Sequence, residues 1–318
     1  MKTRKRPIFG IVPLALAAVL VLTGCGSPTA TTEPQDAAQQ RGAGGAASAG
    51  GFEMPHIHGL GFSADGSQLV VPAHNGLRIF SDSRWQIPEV PTHDYMGYAP
   101  ADNGFYSSGH PGQSTGLVNP LGLVKSTDGG KTLTTLGFEG ESDFHLMGVG
   151  YKNHAVYVLN PAPNSKLPAG MHYSLDDGES WKQSSAQGLT SQPTQIAVHP
   201  TDAGIVAVAT EAGLFLSSNN GDTFERVEAT GPVTAATFSP DATRLLFSSD
   251  TLSVYDVKSK QIRPLGKRQL PAQDAIAYIA VNTVRADEIA IATFGRNIFR
   301  STDSGQTWQQ IAQNGKAN

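Results

Sequence analysis

The chain has 318 residues, a formal net charge of −4, 35 glycines and one cysteine. One cysteine excludes an internal disulfide framework and a thiolate metal cluster. A mild acidic excess without a basic patch argues against nucleic acid and against charge-driven binding to anionic lipid.

Lys2, Arg4, Lys5 and Arg6 form a basic start, and Ile8 to Leu22 is an apolar run. That run is short for a spanning helix and ends in small residues, so residues 1–24 read as a signal peptide. Its end, Leu22-Thr23-Gly24-Cys25, resembles the lipobox of bacterial lipoproteins. The resemblance implies that Cys25 is fatty-acylated and becomes the first residue of a protein held on the outer side of the bacterial cell membrane. Residues 25–51 are rich in Gly, Ala, Ser, Thr, Gln and Pro and read as a flexible tether. Without residues 1–24, 19 Lys+Arg face 27 Asp+Glu, a net of −8.

Residues 52–314 carry short apolar runs broken by Gly, Pro, Asn and Asp, without helical periodicity. Six runs read as innermost strands of successive blades: 58–63, 94–99, 145–150, 194–199, 234–239 and 277–282. Second strands follow, for example 68–72, 155–159, 205–209, 244–248 and 288–293. Third strands lead into a recurring turn: Ser126-Thr127-Asp128-Gly129-Gly130-Lys131-Thr132-Leu133, Ser174 to Trp181, Ser218-Asn219-Asn220-Gly221-Asp222-Thr223-Phe224 and Ser301 to Trp308. The pattern Ser-x-Asp-x-Gly-x-Thr-Trp resembles the Asp-box, or neuraminidase-type repeat. Ser and Asp side chains bond nearby backbone N–H groups, Gly takes the left-handed conformation, and the closing aromatic wedges between sheets. Two blades keep only remnants, at 80–85 and 254–258. The expected fold is therefore all-β, a β-propeller of six four-stranded blades, with 315–318 as a short tail. Long insertions at His110 to Pro120 and Asn160 to Gly170 fall where ligand-facing loops would lie.

Eight of the nine histidines lie in the first three blades: His56, His58, His74, His93, His110, His145, His154 and His172. His58, Asp94 and His145 each start an innermost strand, so the alignment predicts that they converge at one mouth of the axial channel. His56 shares a strand face with His58, and His145 with Met147. Met54, Met96, Met147 and Met171 each lie within three residues of a histidine. Imidazole with thioether favours copper, particularly Cu(I), and imidazole with carboxylate favours zinc. His56, His58, His93, Asp94, His110, His145, Met96 and Met147 form the candidate metal set, with Asp143 and Glu141 as acidic partners.

Sialidase chemistry needs a Tyr nucleophile, acidic help and an arginine cluster. Leu77-Arg78-Ile79-Phe80 lacks the Pro of the sialidase Arg-Ile-Pro motif, and Arg226, Arg263, Arg285 and Arg296 occupy inequivalent blade positions. Tyr278 and Asp274 stand near the sixth innermost strand without marks of a nucleophile and acid. His56-Ile57-His58-Gly59-Leu60, His93-Asp94-Tyr95-Met96-Gly97, Ser108-Gly109-His110-Pro111, Asn119-Pro120-Leu121-Gly122-Leu123, Ser142-Asp143-Phe144-His145 and Ala275 to Ala280 carry a further resemblance. Together they look like a family of bacterial lipoproteins with neuraminidase-type repeats, described as glycosyl-hydrolase-like. More distantly, the chain is similar to the photosystem II assembly factor and to sortilin-type propellers. The resemblance implies a propeller lipoprotein and brings no catalytic residues with it. Three functions stay open: capture of a copper or zinc ion at the His-rich mouth, glycoside hydrolysis on that face, and docking of a protein or cell-wall polymer. A monomer is expected.

Overall fold

A computed structural model describes residues 51–317, apart from 228, 229, 250, 267–269 and 272. The leader, Cys25 and all but the last residue of the tether lie outside the described residues. Among the described residues there is no helix, and six antiparallel sheets form the blades of a β-propeller.

Blade 1 comprises β1 (Gly61–Phe62), β2 (Leu69–Ala73), β3 (Gly76–Ser81) and β4 (Arg84–Gln86). Blade 2 comprises β5 (Asp94–Ala101), β6 (Gly104–His110), β7 (Leu123–Ser126) and β8 (Thr134–Gly137). Blade 3 is built from β9 (Met147–Val149), β10 (Val156–Asn160), β11 (Gly170–Ser174) and β12 (Lys182–Gln183). Blade 4 has β13 (Pro193–Val198), β14 (Val206–Thr210), β15 (Gly213–Ser217) and β16 (Glu225–Arg226). Blade 5 has β17 (Ala235–Phe238), β18 (Arg244–Ser248), β19 (Leu252–Asp256) and β20 (Ile262–Pro264). Blade 6 has β21 (Ile276–Val281), β22 (Ile289–Thr293), β23 (Ile298–Ser301), β24 (Gln309–Gln313) and a fifth strand, β25 (Lys316–Ala317). All six expected innermost strands appear as β1, β5, β9, β13, β17 and β21.

Second strands such as Leu69–Ala73, Val206–Thr210 and Ile289–Thr293 are buried along their whole length, which is why they read as unbroken apolar runs. Six apolar clusters fill the six seams between blades. Inner strands need small residues where neighbours crowd. A Cβ on Gly148 would stand 2.6 Å from the Ile196 carbonyl oxygen. Gly97, at φ 29°, sits in a bulge of β5 where a Cβ would meet the Phe144 carbonyl.

The four recurring turns share one hydrogen-bond scheme. In the first, Ser126 Oγ donates to Asp128 Oδ1 (2.9 Å), Gly130 N–H donates to Ser126 Oγ (2.8 Å) and Thr132 N–H donates to Asp128 Oδ1 (3.0 Å). In the third turn Ser217, not Ser218, takes the serine place, receiving the Gly221 N–H at 3.0 Å. Asn219 there replaces Asp, accepting from Thr223 N–H and donating to Thr223 Oγ1. The closing residues Leu133, Trp181, Phe224 and Trp308 pack into the seam with the preceding blade. Hydrogen bonds from Ser and Thr hold the Asp128 and Asp303 carboxyls down at about 2.

The ring closes through the ends of the described chain. Residue Glu53 bridges Lys316 of β25, and Met54 N–H donates to the Gly315 carbonyl at 2.6 Å. Residues 315–317, read from sequence as a tail, therefore belong to blade 6. Asn282 and Arg285 of blade 6 donate to the Gly66 carbonyl of blade 1 (2.8 and 3.0 Å).

Strand direction alternates within each blade, which sorts the connections onto two faces. The recurring turns and the first-to-second strand turns lie on one face. The starts of the innermost strands, the second-to-third strand turns and the insertion 111–122 lie on the other, called the upper face below. The axial channel holds a cavity of about 110 Å³ lined largely by apolar inner-strand residues such as Leu60, Val149, Ile196 and Ile279, with Tyr98 and Tyr278.

Candidate functional site

On the upper face, blades 1–3 bring together His56, His58, His74, Asp94, His110, Asp143 and His145. His58 precedes β1, and its backbone N–H donates to Pro72 O of β2 (3.0 Å). His74 occupies the tight β2–β3 turn, its N–H donating to the His56 carbonyl at 3.2 Å. Asp94 opens β5, and its cross-strand partner is His110, the last residue of β6. Asp143 and His145 lie on the approach to β9.

Two nodes result, each with one carboxylate and two imidazoles. In the first, His58 Nε2 lies 3.5 Å from Asp94 Oδ1 and His74 Nδ1 lies 2.7 Å from Asp94 Oδ2. One ligand atom from each of His58, His74 and Asp94 falls within 4.8 Å of the others. His56 stacks on His58 with ring centroids 6.1 Å apart. In the second, Asp143 Oδ2 lies 3.2 Å from His110 Nε2 and 3.3 Å from His145 Nδ1. His110 Nδ1 lies 2.7 Å from Asn119 Oδ1 of the insertion.

The carboxylates and His58 are sunk, while His74, His110 and His145 stand out. Side-chain exposure is 11% for Asp94 and 15% for Asp143, against 64% for His74 and 59% for His145. Burial pushes the His58 imidazole below its ordinary range, opposed by Asp94 and reinforced by His56, His74 and His145. Burial pushes the Asp143 carboxyl up; His145 and His110 oppose the shift and Asp94 adds to it. Two buried atoms of the cluster, His58 Nε2 and Asp94 Oδ1, have no hydrogen-bond partner among the described residues, while the Asp143 carboxylate is steadied by the Ser108 hydroxyl.

The sequence expectation needs three corrections. His93 does not join the cluster. It is 2% exposed, its Nδ1 accepts the Gly112 N–H (3.0 Å), and its ring meets Tyr95 edge-on, so it anchors the insertion loop. Met147 is 7% exposed and packs in the apolar seam between blades 2 and 3. Met96 of β5 is half-buried, its side chain beside Gly109 of β6. Met54 and Met171 are also core residues, so spacing near histidine reflected strand burial. His74, left out of the candidate set, was findable: a second-to-third strand turn lies on the same face as the inner-strand starts. Glu141 instead receives the Ser165 N–H (2.7 Å) and hydroxyl (2.9 Å), tying the β8–β9 connection to the insertion between β10 and β11.

No protein-family model matches the chain, and no curated protein matches it in sequence. Among solved structures it is similar to a GH74 enzyme from Niastella koreensis, with TM-score 0.55 and 16% identity, over 81% of this chain and 45% of that one. It is similar also to the GH74 xyloglucanase of Xanthomonas campestris, with TM-score 0.52 and 14% identity, over 82% of this chain and 46% of that one. The chain thus spans about half the length of these enzymes, and likeness at such identity shows the fold alone. YCF48 bound to a D1 peptide aligns with TM-score 0.48 and 16% identity, over 81% of each chain.

Proposed function

We propose that the protein is a membrane-anchored, extracytoplasmic propeller that binds a divalent transition ion at the upper mouth, through His58, His74 and Asp94. One observation carries this reading: His58 Nε2 and Asp94 Oδ1 are buried, face each other at 3.5 Å and have no hydrogen-bond partner. Metal–ligand bonds of 2.0–2.2 Å in tetrahedral geometry separate two ligand atoms by roughly 3.3–3.5 Å. The gap between these atoms matches that edge, and a cation between them would satisfy both. The donor set of the converging group, imidazole and carboxylate without thioether, suits zinc-class ions. The lipobox at Cys25 supports anchoring.

The test is calorimetric titration of the purified protein with Zn(II) at neutral pH, beside Cu(I) in a competing chelator. Tight Zn(II) uptake that the His58→Ala, His74→Ala double substitution abolishes supports the reading; undiminished uptake in that variant sinks it.

Glycan hydrolysis at the same mouth is the second reading. It is favoured by the Asp143 carboxyl, which burial raises at the mouth as suits a general acid. It requires turnover that survives chelator and disappears in Asp143→Asn.

A further inference from the structure

We propose that the seam between blades 1 and 2 holds a binding pocket for a small aromatic amine, opening on the face opposite the histidine mouth. The pocket shares no residue with the metal-binding reading and stands independently of it.

A cavity of about 610 Å³ lies between the two blades. That size is ordinary for a small-molecule site and large for a close-packed seam between sheets. The next two seams show why it is there. Val70, Tyr106 and Tyr157 are equivalent residues of second strands. Each pairs with a small inner-strand residue, Gly61, Ala99 and Gly148, and each faces the following blade. Gly129, Asp177 and Asn220 are equivalent as well, three residues after the serine of a recurring turn and at φ 75°, 56° and 60°. Between blades 2 and 3, Tyr106 Oη donates to Asp177 Oδ1 and Lys125 Nζ reaches Asp177 Oδ2 at 3.0 Å. Between blades 3 and 4, Tyr157 Oη lies 3.4 Å from Asn220 Oδ1. Blade 1 has Val70 and Ile79 at the places of Tyr106 and Lys125. Blade 2 faces them with Gly129, where a Cβ would meet nothing within 4 Å. The bridge is missing, and the cavity occupies its place.

Walls and rim select the occupant. Leu77, Ile79, Tyr98 and Phe105 give an apolar interior, with the Tyr98 and Phe105 rings 5.1 Å apart at 37°. Such rings accept an aromatic body through offset or edge contacts. At the rim stands Asp65, the one charged side chain among the described residues lining the cavity. Its Oδ1 accepts from the Ser63 and Ser67 hydroxyls (2.6 and 2.8 Å) and from the Ser67 N–H (3.0 Å). These bonds hold the carboxyl at about 2, so it is an anion at neutral pH. A carboxylate at the mouth of an apolar cavity without a basic neighbour in the lining favours a cationic head and repels an anionic one.

The experiment compares two probes with one ring system and opposite charge, tryptamine and indole-3-propionate. The full chain, solubilised in detergent, is titrated with each, and binding is read from the methyl NMR signals of Leu77 and Ile79, so that partition into the micelle does not count. Tryptamine is expected to shift both signals saturably with Kd below about 1 mM. Indole-3-propionate is expected to bind about 4–25-fold more weakly, from attraction and repulsion of about 2–5-fold each at an exposed carboxylate. Asp65→Asn keeps an acceptor for the Ser67 N–H; it is expected to lose about 2–5-fold toward tryptamine and to close the gap between the probes. Val70→Tyr with Gly129→Asn rebuilds the pair that blades 3 and 4 share, and Asn tolerates the left-handed conformation. That variant is expected to lose binding without a fall in melting temperature. No saturable shift with tryptamine, equal affinity for the two probes, or undiminished binding in the rebuilt variant overturns the proposal. If the rebuilt variant melts below the parent, Asp65→Asn decides alone, and a preference for tryptamine that survives it overturns the proposal.

Discussion

Asp94 is the residue on which the metal reading turns, because one carboxylate serves two imidazoles with its two oxygens. Asp94→Asn keeps the shape of the side chain and removes its charge. An amide oxygen still accepts from His74 Nδ1, now 2.7 Å from Oδ2, so the turn at Ala73–Gly76 is expected to stay in place. What is lost is the anionic oxygen 3.5 Å from His58 Nε2. If the carboxylate merely oriented an imidazole, its loss would weaken Zn(II) about 10–100-fold, or about 1.4–2.8 kcal/mol at 1.4 kcal/mol per tenfold. As a direct ligand it gives more, so the expected loss is at least 100-fold in Kd at neutral pH. The molecule supplies its own control. Asp102 and His154 on the opposite face also pair at 2.7 Å, without another imidazole at the carboxylate. Asp102→Asn is expected to leave Kd within twofold. The assay is calorimetric titration of both variants with melting curves in parallel. A fall under threefold in Asp94→Asn, or equal falls in the two variants, would refute the reasoning.

Three further outcomes follow from the fold. Glu288, 3% exposed, accepts from Arg285, Arg300 and Asn282 at 2.6–2.8 Å where blade 6 meets blade 1. Glu288→Ala leaves the buried Asn282 amide without its acceptor and frees two partly exposed guanidinium groups, and is expected to cost about 1–3 kcal/mol. At about 2–4 °C per kcal/mol this lowers Tm by about 2–12 °C in calorimetry, and a shift below about 1 °C would contradict the closure role. His172 and His199, 2% and 7% exposed, are pushed below the ordinary imidazole value of 6.5 by burial. A depressed base binds its proton first in the unfolded chain, so stability is complete above 6.5 and lost as pH falls below it. The slope is up to about 1.4 kcal/mol per pH unit per residue. Urea unfolding between pH 7.5 and 5 is expected to show that slope, reduced in the His172→Asn, His199→Asn variant. Finally, Asp303→Ala should lower Tm while Asp303→Asn stays close to the parent in differential scanning fluorimetry, because Asn219 already closes an equivalent turn.

The architecture was legible in the sequence because its signals are local. A turn that bonds Ser, Asp, Gly and Thr within eight residues leaves those residues in order, and burial on both sides leaves Leu69–Ala73 or Ile289–Thr293 as apolar runs. The registration of the third turn slipped by one residue because Ser217 and Ser218 adjoin, and only the Gly221 N–H chooses between them. The closing strand β25 escaped notice because two residues, Lys316 and Ala317, carry no period of their own; they pair with Ala312 and Gln313 of β24 and bridge Glu53 at the other end of the domain.

The site was half legible, and the half that failed shows what alignment of inner strands can do. Equivalence of strand starts identifies which residues reach one mouth, and it placed His58, Asp94 and His145 there. It does not say which way a side chain points once the strand begins. Met147 lies two residues beyond His145, but there β9 has entered the seam between blades and the side chain belongs to the apolar cluster with Phe144 and Tyr106. His93 adjoins Asp94, and alternation along the chain turns it inward to the Gly112 amide while Asp94 turns to His58 and His74. The residues that complete the mouth come from turns and approaches to strands. His74 stands on a hairpin and Asp143 before a bend, where no period exists to be read. The ion expected changes with that correction: without methionine the donors are nitrogen and oxygen, and preference moves from Cu(I) toward zinc-class divalent ions.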